Sequence, residues 1–252
     1  MRRLEIMSDM FDMFSFKSFL IASMILAKRK LNIQDFSKKH LIVLKYKDKT
    51  LRFKVKENDG VLAIMDAFNL GIYDNEICRN NKVIFDCGSH IGTSAVFFSI
   101  TNPESKIYCF EPDKSSFKLL KENLKLNNIN SEVYNYAISD KDGFVSFNSN
   151  LNASVSSRIK EGGNIKVKSK DIDTLMEELK IPQIDLLKLD IEGEEINVLE
   201  KLTNSKKIKN LTCEVHEQYY SASELKRIVE KRGFTIYPDK EKEKFNSLFA
   251  SQ

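Results

Sequence analysis

The chain has 252 residues, 42% hydrophobic and 10% aromatic, which excludes a disordered polymer and is enough to bury the core of one large domain or two small ones. Forty basic residues against 36 acidic ones leave a formal charge of +4. The charges are interspersed, with no basic stripe of the kind nucleic acid requires, so no nucleic-acid partner is expected.

Cys78, Cys87, Cys109 and Cys213 form no CxxC pair and no metal-ligand spacing, and three of them sit in apolar runs. A reducing, cytoplasmic setting follows. Only nine residues are glycine, so each marks a place where the backbone needs one.

In chain order, Phe14–Ala27 reads as an apolar helix interrupted by Lys17 and followed by Lys28-Arg29-Lys30. Its uninterrupted part is shorter than the ~20 residues of a membrane span, and no signal-peptide cleavage pattern follows it. Three fates fit it: docking on the domain, pairing with a sister subunit, or lying on a membrane surface. Residues 1–30 are therefore the expected site of any homo-oligomer or peripheral membrane contact. Leu41–Val55, turned at Asp48-Lys49, reads as a hairpin, and residues 60–70 as a helix ended by Gly71. We expect residues 1–59 to form a helix-and-hairpin extension and residues 60–252 one domain.

Beyond residue 82, strands and helices alternate. Strands are expected at 82–86, 106–111, 132–138, 184–190, 210–216 and 234–237. The helices between them fall at 93–100, 114–126 (capped by Asp113), 194–202 and 221–232. Such alternation predicts an α/β fold, with a mostly parallel sheet covered on both faces. The interruption is an insertion at about 143–172, where two strands flank the polar loop 149–164.

Four segments carry chemistry. In Asp86-Cys87-Gly88-Ser89-His90-Ile91-Gly92-Thr93, an apolar strand runs through a glycine turn straight into a helix. Such a turn aims free N–H groups at a ligand. It is not the GxGxxG of dinucleotide sites, and the strand-end Asp86 disfavours a diphosphate while suiting a cation or an amino group. Glu111 ends the next strand, where an acid commonly accepts from ribose hydroxyls. Asp190 ends the strand 184–190. Glu214 and His216 lie two residues apart on the following one, so all three acids or bases converge on one sheet edge if the strands are neighbours. His216 reads equally as a base, a ligand or a structural histidine.

Together, Asp86-x-Gly-x-x-x-Gly92, Phe110-Glu111-Pro112, Ala137-Ile-Ser-Asp140, Leu187-Lys188-Leu-Asp190-Ile-Glu192-Gly193 and Glu214-Val-His216 resemble the FkbM-type methyltransferase family. The resemblance covers about residues 60–237. It implies a Rossmann-like class I methyltransferase sheet with an antiparallel C-terminal strand, S-adenosylmethionine as cofactor, and O-methylation of a sugar, glycan or related small-molecule acceptor. By the same resemblance, Asp86, Gly88, Ser89, His90, Gly92 and Thr93 would frame the methionine end. Glu111 would hold the ribose, Ala137 would lie by the adenine, and Asp190 would face the methyl.

For the proton of the acceptor hydroxyl, Asp190 or His216 is the expected base, with Glu214 orienting the imidazole or the substrate. The same three residues form an alternative site for a divalent metal. Two rival functions are a nucleotide-dependent oxidoreductase and a non-catalytic binding module on the same fold.

Overall fold

The computed structural model describes residues 2–30, 38–56, 58–148, 158–159, 162–238 and 246–252. The chain opens with helices α1 (Arg2–Met13) and α2 (Phe16–Lys30), the hairpin β1 (His40–Tyr46) and β2 (Lys49–Val55), and α3 (Asn58–Phe68). The alternating part then runs through β3 (Val83–Cys87), α4 (Thr93–Thr101), β4 (Lys106–Phe110), α5 (Lys114–Leu126) and β5 (Glu132–Tyr134). An insertion follows, of β6 (Ala137–Ile138), β7 (Gly143–Asn148), β8 (Arg158–Ile159) and β9 (Ile165–Lys170). The chain closes through α6 (Ile172–Glu178), β10 (Ile184–Leu189), α7 (Glu195–Lys201), β11 (Ile208–Glu214), α8 (Ala222–Lys231), β12 (Thr235–Tyr237) and β13 (Ser247–Ser251).

Seven strands form the main sheet in the order β12-β13-β11-β10-β3-β4-β5. The run from β11 to β5 is parallel, and β13 inserts antiparallel between β11 and β12. This is the α/β sheet expected, with its C-terminal strand reversed. From β3 the chain proceeds outward through β4 and β5, then returns to β10 on the other side, so the order reverses between β3 and β10. Ligands of open α/β sheets bind at that reversal, beyond the carboxyl ends of the strands.

Helices cover both faces. Val61, Ile64, Phe97, Phe98 and Leu120 belong to one core, Leu175, Val198, Leu199, Leu225 and Ile228 to the other. Strand β10 is buried at all six positions, which explains why it reads as a near-continuous apolar run. Asp113 caps α5 by accepting from Ser115 N and Ser116 N, and Ser221 caps α8 through Glu224 N.

Several elements depart from the expectation, the first being α1, a helix ahead of the one read at Phe14–Ala27. The strand predicted over 132–138 is two short strands in different sheets, β5 in the main sheet and β6 in a four-stranded sheet of order β6-β9-β7-β8. That smaller sheet is the 143–172 insertion, and most of the polar loop within it lies outside the described residues. Helix α6 and strand β13 were not anticipated.

The N-terminal extension shares the first core: Met10, Phe14, Ile42, Leu44, Phe53 and Val55 pack with Phe97, Leu120 and Leu186. Asn123 of α5 and Asn127, the residue that caps its C-terminus, hold it in place. Asn123 accepts from Lys54 N at 2.7 Å and donates to Lys54 O at 3.1 Å. Asn127 does the same with Arg52, at 2.9 and 2.7 Å. Each side-chain amide thus stands in for the neighbouring strand that β2 lacks on this edge.

Candidate active site

The glycine turn lies at the reversal point. Gly88 has φ +79°, and a Cβ there would stand 1.8 Å from the carbonyl oxygen of Asp190. The ends of β3 and β10 therefore meet backbone to backbone, which only glycine permits. Gly88 N and Ser89 N donate to Phe110 O at 3.0 and 3.1 Å, tying the turn to the end of β4. His90 also lies in the left-handed region, at φ +48°. Its N–H donates to Glu111 Oε2 at 2.8 Å, and Asp113 N donates to Oε1 at 2.7 Å. Burial pushes the Glu111 carboxyl up to about 8, against the pull of these two amides. Burial likewise lowers His90 to about 4, leaving a neutral imidazole.

Beneath the turn sits a lysine that sequence reasoning did not single out. Lys188 is 2% exposed, with Nζ 3.2 Å from Asp86 Oδ1 and 3.2 Å from Asp190 Oδ2. It also donates to Gly88 O at 2.7 Å. Burial opposes its charge, but Asp190, Tyr73 and Asp86 together outweigh that and hold its pKa well above the ordinary lysine value. Asp86, fully buried, takes a further hydrogen bond from Ser94 Oγ at 2.7 Å. Asp86 is thus the counter-ion that seats Lys188 below the cavity rather than part of its wall. Gly92 likewise lies behind the wall, as the N-cap of α4 at φ +92°.

His216, just past β11, is also buried. Its Nδ1 lies 3.0 Å from Glu195 Oε1, as an ion pair rather than an aligned hydrogen bond. Glu195 is fully buried and clamped by Ile191 N (2.8 Å), Gly193 N (3.0 Å) and Tyr220 Oη (2.9 Å). Glu195, rather than Glu214, is therefore the carboxylate that orients the imidazole. Burial opposes protonation of His216, but Glu195, Asp190 and Glu214 raise it to about 10. With these three carboxylates around it the ring favours the imidazolium form, which suits a proton donor or a charge partner of Asp190.

Burial also raises Asp190, but Lys188 and His216 more than cancel this and hold it below the ordinary carboxylate range. Glu214 is pushed up to about 9 by burial and by the charge of Asp190, to which it is hydrogen-bonded. The pair shares one proton, carried by Glu214, and Asp190 stays ionised.

These groups open onto a cavity of ≈ 480 Å³, within the range of small-molecule sites. Of the residues proposed from sequence, Gly88, Ser89, His90, Thr93, Glu111 and Ala137 line one half, and Asp190, Glu214 and His216 line the other. Asp66 and Tyr73, from the α3 side, and Glu192 complete the second half. Burial and the charge of Asp190 raise Asp66 to about 6. Among the described residues, Asp190, Glu192 and His216 each bring a donor atom within 4.8 Å of the others. That is the set able to hold a metal, with Glu192 in the place expected of Glu214.

A family model described as the methyltransferase FkbM domain matches residues 86–236. The chain is 29% identical to the hexuronic acid methyltransferase AglP of Haloferax volcanii, over 56% of this chain and 59% of that protein. It is 25% identical to the methyltransferase sdnD of Sordaria araneosa, over 77% of this chain and 89% of that one. To the 2-O-methyltransferase NoeI of Sinorhizobium fredii it is 27% identical, over 48% and 57%. The first and last of these matches span less than two thirds of the relative's own length. A reversed strand set into a parallel sheet, a glycine turn at its switch point and a match over more than half the sequence agree: the chain belongs to the FkbM methyltransferase family, a family of S-adenosylmethionine-dependent enzymes.

Proposed function

We propose that the protein transfers a methyl group from S-adenosylmethionine to a hydroxyl of a sugar, glycan or related metabolite. One observation carries this reading: a single cavity joins the Gly88–His90 turn and Glu111 to the ionised Asp190. The residues fit the cofactor. Glu111 keeps lone pairs for ribose hydroxyls, and the acids of the far half suit a sulfonium cation. Two relatives, a hexuronic acid methyltransferase and a 2-O-methyltransferase, support oxygen as acceptor and a sugar as its bearer.

S-adenosylmethionine, when bound, supplies an electrophilic methyl on sulfur. The protein would align the acceptor oxygen with that methyl, and Asp190 would take the hydroxyl proton as the oxygen is methylated. A carboxylate of low basicity suffices, because an oxygen that has gained a methyl while still holding its proton is a far stronger acid than a carboxylic acid. His216 and Lys188 keep Asp190 ionised for this step, and Glu195 keeps His216 in place.

Glu111 gives the cofactor half its own test. Ribose hydroxyls donate to the ionised carboxylate, so binding favours the deprotonated form of a group whose free pKa is about 8. Affinity for S-adenosylhomocysteine is expected to rise about tenfold as pH is raised through that value, then level off. Titration calorimetry should show this slope in the native protein and a weak, flat profile in Glu111→Gln. An unchanged slope in the variant would remove Glu111 from the cofactor site. A thermal-shift comparison of S-adenosylhomocysteine with NAD⁺ separates the reading from its rivals: a shift with NAD⁺ alone overturns it.

The Asp190–Glu192–His216 geometry favours one second reading. Asp190, Glu192 and His216, its ring then deprotonated, would hold a divalent ion, which would supply Lewis acidity to the hydroxyl, with Glu195 bracing the imidazole. Two carboxylates with one imidazole suit Mn²⁺ or Zn²⁺ better than Mg²⁺. Turnover unchanged after EDTA treatment and dialysis would rule the ion out.

A further inference from the structure

Helix α2 is apolar on every side, a composition that calls for cover all round. Among the described residues, one side only is covered. Ser18, Ala22 and Ile25 are buried, and Ser18 Oγ accepts from Val43 N at 2.7 Å. On the opposite side, Phe16, Leu20 and Met24 follow at intervals of four and so stack on one face. They are 69%, 52% and 38% exposed. On α1, Phe11 is 57% exposed and meets Phe19 edge-on at 5.3 Å, widening the stripe. Single exposed apolar residues are ordinary, whereas a contiguous row on adjoining helices marks an interaction site.

Charge selects the occupant. Helix α2 carries Lys17, Lys28, Arg29 and Lys30 and no acid. A second copy of α2 would offer these cations no acid of its own, while an anionic lipid surface complements them. Of the acids on neighbouring α1, Asp9 is engaged by Asn69 Nδ2 at 2.9 Å, and Asp12 is exposed beside Phe11. No helix among the described residues is long and apolar enough to cross a membrane, so the contact lies in the plane of the surface.

We propose that this face of α1–α2 lies on an anionic membrane, with Phe11, Phe16, Leu20 and Met24 at the acyl boundary and Lys17 and Lys28 among the headgroups. Helix α2 packs on α3, whose Leu62, Ala63 and Asp66 line the cavity. One helix therefore separates the membrane face from the acceptor half of the site. The proposal does not depend on the chemistry of that site.

Vesicle co-sedimentation of the full chain tests it, with phosphatidylcholine alone and with an equal mixture of phosphatidylcholine and phosphatidylglycerol. Binding is expected to the mixed vesicles only, weakened by high salt, and reduced at least about tenfold in the double variant Phe16→Ser, Leu20→Ser. Both substitutions are at exposed positions, and retained S-adenosylhomocysteine affinity certifies that the variant is folded. Failure to bind mixed vesicles overturns the proposal, as does binding that the double variant leaves unchanged. A concentration-dependent dimer dissolved by the same two substitutions also overturns it and assigns the face to a contact between copies.

Discussion

Asp190→Asn is expected to lower methyl transfer by about 10³-fold while affinity for S-adenosylhomocysteine stays within about tenfold. The substitution keeps the shape of the side chain and removes only its charge and basicity. Asp190 reaches the cavity from the end of β10, with one oxygen on Lys188 and the other toward His216. Its basicity is needed only as the hydroxyl loses its proton, so the loss belongs in kcat rather than in cofactor binding. Steady-state kinetics beside calorimetry separate the two. A matching collapse of cofactor affinity would make Asp190 a binding group and overturn its assignment as base.

Lys188→Met should be the most destabilising single change in the site. The methionine fills much the same volume, but Asp86, 0% exposed, and Asp190 lose the cation between them. Removing one partner of a buried ion pair typically costs about 3–5 kcal/mol, because an uncompensated charge remains in a poorly solvated place. For a protein of this size that corresponds to a fall of roughly 10 °C in Tm. Lys106→Met is the control, since Lys106 pairs with Glu132 at the surface, where water screens the interaction. If the two variants melted together, Lys188 would be dispensable to the fold and the buried triad would carry no stability.

The central strands were legible because both of their faces are covered. Burial on two sides produces uninterrupted apolar runs, and acids or glycines mark where each run meets the cavity. The convergence of Glu111, Asp190, Glu214 and His216 could be read for the same reason, as strand ends collect at one edge. Strand β13 was not legible: its five residues include two serines, and its place is set by the slot between β11 and β12, a tertiary pairing. Helix α6 carries a legible start, Asp171 accepting from Thr174 N, but follows directly on the strand that closes the insertion, with no turn between them.

Lys188 was quoted within a motif and passed over. A lysine inside a wholly buried strand is itself a signal, but its meaning depends on the register that sets it directly opposite Asp86 on β3. Nothing local to either strand encodes that partner. Glu195 was missed because Glu214 is nearer to His216 in sequence, whereas the first turn of α7 brings Glu195 nearer in space. Asp66 was hidden by its helix, whose apolar pattern predicts a core face but not which flank meets the cavity.

Asn123 does more than hold the hairpin, for the same amide nitrogen that donates to Lys54 O also donates to Ile91 O at 2.9 Å. One side chain thus spans the extension and the cofactor turn. The family match begins at Asp86, which makes the first 85 residues look like a dispensable leader. The strut at Asn123 makes them part of the scaffold on which the turn is built. Trimming the protein to its recognisable domain would free Asn123 from β2, remove α3 and strip apolar cover from α4, and cofactor affinity would fall although Gly88–Thr93 and Glu111 all remained.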